Sequence, residues 1–166
     1  MATASRNIGS HVAMTITNLN SLANSQTAGW QSAKVDDTST KALDYEIAVK
    51  LTMANTAPAN DKAVYVYAVP WYYDGSSWYP ADCGTGTLPT GTEGTITIAS
   101  PNDMRLLGVL NYTTQQMVLE GVFSLLNAFG QYLPDGWSLV IIDYSGAAIA
   151  ASANMVAYKP IKVDIA

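Results

Sequence analysis

Residues 43–53 read Leu43-Asp44-Tyr45-Glu46-Ile47-Ala48-Val49-Lys50-Leu51-Thr52-Met53. Leu43, Tyr45, Ile47, Val49, Leu51 and Met53 take every second position, with Asp44, Glu46, Ala48, Lys50 and Thr52 between them. A period of two sends the first set to one face of an extended chain and the second set to the other, whereas a helix would smear both sets around its axis. The stretch predicts a long strand with one buried face, the pattern of an antiparallel sheet.

The same signal recurs on both sides of it. Val12, Met14 and Ile16 alternate with polar or small residues, and Trp30 to Val35 forms another extended run. Ala63 to Val69 is apolar on both faces and predicts a central strand ended by Pro70. Trp71 to Tyr79 carries Asp74-Gly75 between aromatics, a hairpin signal. Residues 82–94 are dense in Gly, Thr and Pro and predict a long loop. Further strands are expected at Thr95–Ala99, Met104–Asn111, Met117–Leu125, Trp137–Asp143, Met155–Tyr158 and Ile161–Ile165. Leu126, Phe129 and Leu133 fall near helical spacing, which allows a helical turn within 125–132. Many short strands at regular spacing, without strand–helix alternation, predict an all-β fold: an antiparallel β-sandwich, jelly-roll-like, with at most one or two short helical turns. The expected organisation is a flexible N-terminal arm over 1–10 and one sandwich domain over 11–166.

Composition narrows the function. Among 166 residues, 49% are hydrophobic, too many for disorder, and 13% are charged, about half the usual share. A surface so poor in charge suits packing against other proteins, since few ions need desolvation. A net charge of −5 offers nothing to neutralise a row of phosphates, so no nucleic acid is expected as partner. No run approaches the ~20 apolar residues of a membrane span, so no membrane is expected either. Residues 1–10 are polar and lack the apolar stretch of a secretory leader, and Cys83 is a lone cysteine; folding in a cytoplasm is expected.

Reactive side chains are scarce. One histidine, His11, and one cysteine make no metal cluster, and no serine sits in a nucleophile elbow. Asp36-Asp37 suits either Ca²⁺ or the capping of a turn, and the turn is favoured because neighbours on a strand point to opposite faces. No enzyme, catalytic residue, cofactor or metal is therefore expected. The aromatic cluster Trp71, Tyr72, Tyr73, Trp78 and Tyr79 is the candidate binding feature. Three readings are open for it: cross-strand packing in a hairpin, a protein interface, or a platform for sugar rings.

Three stretches carry a resemblance: Trp30-Gln31-Ser32-Ala33-Lys34-Val35-Asp36-Asp37-Thr38 leading to the alternating strand; Pro101-Asn102-Asp103-Met104-Arg105-Leu106-Leu107-Gly108-Val109-Leu110-Asn111; and Ala128-Phe129-Gly130-Gln131-Tyr132-Leu133-Pro134-Asp135-Gly136-Trp137 running into Leu139-Val140-Ile141-Ile142. In order and spacing they resemble a family of small head-associated proteins of tailed bacteriophages. The resemblance implies a β-sandwich virion protein made in the host cytoplasm, a capsid cement (decoration) protein bound to the major capsid protein. It also implies a homo-oligomer, a trimer for instance, because copies follow the symmetry of a lattice. The alternative is a lectin-like carbohydrate-binding module on a virion surface or tail.

Overall fold

The computed structural model describes residues 4–81, 88–98, 101 and 104–165. In chain order the elements are β1 (Ala4–Ile8), β2 (Val12–Ala13), β3 (Ala28–Gln31), β4 (Val35–Asp36), β5 (Asp44–Thr52), β6 (Ala63–Tyr73), β7 (Trp78–Pro80), β8 (Gly94–Thr97), β9 (Arg105–Asn111), β10 (Val118–Ser124), α1 (Leu125–Phe129), β11 (Gly136–Tyr144) and β12 (Met155–Ile165). All pairings between these strands are antiparallel. They make two sheets. One runs β1-β12-β5-β10, with β2 continuing the β1 edge; the other runs β7-β6-β11-β3-β8, with β9 on β6 and β4 on β11. The all-β sandwich expected from the sequence is the fold.

The alternating strand is β5, and its period decides the packing. Tyr45, Ile47, Val49, Leu51 and Met53 are at most 2% exposed, while the residues between them are half-buried. Burying each such side chain contributes roughly 1.5–3 kcal/mol. A slip of one residue would turn all five to solvent, so the register is strongly specified. They meet Val64, Val66 and Ala68 of β6 and Trp137, Leu139 and Ile141 of β11 across the sandwich. Strand β11 is buried on both faces. Its Val140 and Ile142 join Val69, Ile96, Ile98 and Met104 in a second, smaller core on the outer face of the larger sheet.

Several boundaries differ from the sequence expectation. β6 does not end at Pro70, and the two strands expected at 155–158 and 161–165 are one strand running through Pro160. Both prolines sit where a neighbouring strand is interrupted. The Pro70 carbonyl accepts from Ala81 N in the gap between β9 and β7, and the Pro160 carbonyl accepts from Gly9 N in the gap between β1 and β2. In an antiparallel strand a residue's N and O point the same way, so each proline accepts a bond from the residue opposite and omits the return bond, and the loss falls where the neighbouring strand, β1 or β7, ends. The run from Trp30 to Val35 is split into β3 and β4 by Ser32, whose N–H donates to Leu139 O and whose Oγ accepts from Leu139 N. The strand expected from Val12 to Ile16 is reduced to β2. Within the expected N-terminal arm, Ala4–Ile8 form a strand paired with β12 from Ile161 to Ile165. Its backbone groups found ladder partners on the far end of β12, beyond the last β5 pairing at Asp44.

The expected helical turn is α1. Ser124 caps it by accepting from Asn127 N, and Asp44 supports the cap by accepting from Ser124 Oγ at 2.7 Å and Leu126 N at 2.8 Å.

Candidate functional site

The hairpin of β6 and β7 separates the five candidate aromatics into two groups. Tyr72 pairs with Tyr79 and Tyr73 with Trp78, so each pair shares a face. Trp71 and Trp78 are occupied by packing. Trp71 is 5% exposed and donates its Nε1–H to Ser138 Oγ at 2.9 Å. Trp78 packs on Tyr73 in a tilted pair with centroids 4.7 Å apart, and Lys34 Nζ stands 3.3 Å from the Trp78 ring centroid. Burial lowers the Lys34 pKa, against the pull of nearby Asp36. The cation lies over a ring face and is held there by the ring quadrupole.

Tyr72 and Tyr79 face outward, 63% and 52% exposed, with centroids 6.4 Å apart. The hairpin beneath them is closed by hydrogen bonds. Asp74 accepts from the N–H groups of Ser77 and Ser76, from Tyr79 OH and from Ser76 Oγ, and these bonds hold its carboxyl down at about 2. Gly75, at φ 98°, supplies the left-handed turn residue. Asp135 accepts from Tyr73 N and so ties the hairpin to the loop before β11.

That loop contributes a residue the sequence did not single out. Tyr132 is 77% exposed, the largest value among the exposed large hydrophobic residues described. It stands between two open clefts. The first, about 620 Å³, is lined by Tyr72, Tyr79 and Tyr132 with Pro70, Pro80 and Pro134. The second, about 580 Å³, lies on the other side of Tyr132 and takes in Lys41, Leu126 and Leu43, which is 55% exposed. One end of the sandwich thus presents an aromatic and aliphatic surface on backbone stiffened by prolines. Nothing local marks Tyr132 in the sequence; it is a single ring in a turn, and only the fold brings it to the hairpin.

Asp36 and Asp37 do not converge. Asp36 closes an Asx turn by accepting from Thr38 N and Oγ1, which lowers its pKa. Asp37 is buried and accepts from Ala42 N and Tyr45 OH. This is the turn-capping arrangement. Among the described residues no group of three His, Cys, Asp or Glu side chains is placed to hold a metal ion. His11 is exposed between β1 and β2. Asp82, Cys83 and Asp103 lie outside the described residues.

No family model, no curated protein and no solved structure matches the chain.

Proposed function

We propose that this chain is a non-enzymatic structural protein that docks on other protein subunits, and that it serves as a capsid cement protein gripping the major capsid protein. The observation that carries the docking role is the end surface in which Tyr72, Tyr79 and Tyr132 stand exposed around a proline-lined cleft. Tyrosines offer large contact area, few rotatable bonds and a polar tip, which is why they concentrate binding energy at protein interfaces. The hairpin and loop are already fixed by Asp74 and Asp135, so little order remains to be gained on binding. The ground for placing the partner in a virion is the resemblance carried by 30–38, 101–111 and 128–142.

The test is addition of purified protein to capsid shells that lack it. Binding and a higher melting temperature of the shell are expected. Tyr72→Ser and Tyr132→Ser should each weaken binding at least about tenfold while leaving the protein's own melting unchanged. Shells that bind none of it, or that bind all variants equally, would defeat the proposal.

A second reading, a carbohydrate platform, draws on the paired exposed rings of Tyr72 and Tyr79. Against it, both carboxylates beside the rings are engaged: Asp74 by its own loop and by Tyr79, and Asp135, which lines the cleft, by Tyr73 N. Retention on a glycan array that Tyr72→Ser abolishes would favour this reading over cement.

A further inference from the structure

The outer face of the smaller sheet carries a charge order that is the reverse of itself. Three rows run across β10, β5 and β12: Glu120, Lys50, Met155; then Val122, Ala48, Ala157; then Ser124, Glu46, Lys159. The ion pairs Glu120–Lys50, at 3.6 Å, and Glu46–Lys159, at 3.5 Å, flank the apolar middle row. On β5 the order is Glu46, Ala48, Lys50, antisymmetric about Ala48.

A sheet face left to water does not need exposed aliphatics, yet Val122 is 66% exposed, Val118 43%, Val163 44% and Ile8 47%, all with side chains on this face by register. Ala48 is half-buried and Ala157 fully buried, so the middle row lies low between the charged rows and another sheet can approach closely.

We infer that this face pairs with the same face of a second copy about a two-fold axis running across the strands along the Ala48 row. That operation lays β5 over β5 in opposite directions. Lys50 of each copy then stands over Glu46 of the other, and Val122 meets Val122. The two ion pairs within each chain join end to end as Glu120, Lys50, then Glu46 and Lys159 of the second copy, with signs alternating throughout. A network of this kind gains more than isolated surface pairs do. A two-fold contact must be self-complementary, and this charge order satisfies that condition. The contact leaves the aromatic end free and is independent of the function proposed above.

The experiment is sedimentation equilibrium on the full chain, with circular dichroism and thermal melting to show that each variant is folded. The wild type should be a dimer that weakens as salt is raised. Lys50→Glu and Glu46→Lys should each be monomeric alone, because like charges then face each other. Mixed in equal amounts they should form a heterodimer, because both facing pairs are again opposite in sign. Val122→Asp, which sets two carboxylates against each other on the axis, should raise the dissociation constant at least about tenfold. A wild-type monomer, a trimer, a dimer indifferent to these substitutions, or a mixture that fails to pair would overturn the inference.

Discussion

The phenol of Tyr45 donates to the buried carboxylate of Asp37 at 2.6 Å, joining the main core to the turn that precedes β5. Tyr45 is 1% exposed, and its ring packs on Trp137 and Tyr158 at 5.0 and 5.6 Å. Burial, and then the hydrogen bond to Asp37, raises the Tyr45 pKa. Asp37 also accepts from Ala42 N, and its backbone N–H donates to Asp135 O. Tyr45→Phe keeps the ring and removes one donor from a buried carboxylate, so it should cost about 1.5–3 kcal/mol in denaturant unfolding. Coupling of similar size in a double-mutant cycle with Asp37→Asn would locate the cost in this bond. A phenylalanine variant as stable as wild type would show that the pair contributes nothing net.

Ser138 and Trp71 make a second buried pair whose loss should be felt. Ser138→Ala leaves the Trp71 indole N–H without its acceptor in a site where both residues are at most 5% exposed. The expected loss is about 1–3 kcal/mol, measured by chemical denaturation. Tyr73→Phe breaks only the exposed bond from Tyr73 OH to Gly75 O and should cost well under 1 kcal/mol, roughly within the usual surface range. Equal losses at the two sites would contradict this ordering.

Most of the fold was legible because its signal is local. The period of two from Tyr45 to Met53 needs no knowledge of neighbours, and Asp74-Gly75 favours a turn by itself, whereas Leu43, expected on the same buried face, stands before β5 and is 55% exposed. Pro70 and Pro160 were misread for the opposite reason. Whether a proline ends a strand depends on which edge its missing donor faces, and that is a property of the strand beside it. The candidate site was half legible. Five aromatics in one hairpin are conspicuous, but Trp71 is spent on Ser138 and Trp78 on Lys34, partners distant in sequence. Tyr132 was missed because its exposure beside Tyr72 and Tyr79 arises from the meeting of a hairpin and a remote loop.

Where β9 of one sheet approaches β10 of the other, two glycines make room for one ring. A Cβ on Gly108 would lie 2.1 Å from the Phe123 ring, and one on Gly121 would lie 2.5 Å from it. Gly108→Ala should therefore destabilise by about 1–3 kcal/mol through overpacking. Phe123→Leu alone loses contacts, but in the Gly108→Ala background it should return part of the stability by vacating that space. The check is the sign of the coupling between the two substitutions. Additive losses would mean that the ring does not fill the space beside Gly108.

Asp143 sets a pH dependence whose direction is unusual for a carboxylate. Its side chain lies in the interior at the end of β11, fully buried; Oδ1 accepts from Ser145 N, and Oδ2 has no hydrogen-bond partner among the described residues. Burial pushes its pKa up from 3.8 to about 6, and the bonds from Ser145 offset only part of that rise. The folded state therefore holds a proton that the unfolded chain releases at lower pH. Below the unfolded value of about 3.9, both states are protonated and the group costs nothing. As pH rises from about 4 to 6 the unfolded chain ionises first, and stability falls; above about 6 the loss is complete, on the order of 3 kcal/mol. Asp143→Asn cannot ionise, so its stability relative to wild type should climb across that window and level off above it. Unfolding free energies of both proteins at pH 4, 5, 6 and 7.5 measure this directly. A stability difference that stays constant over the window would show that Asp143 ionises alike in both states.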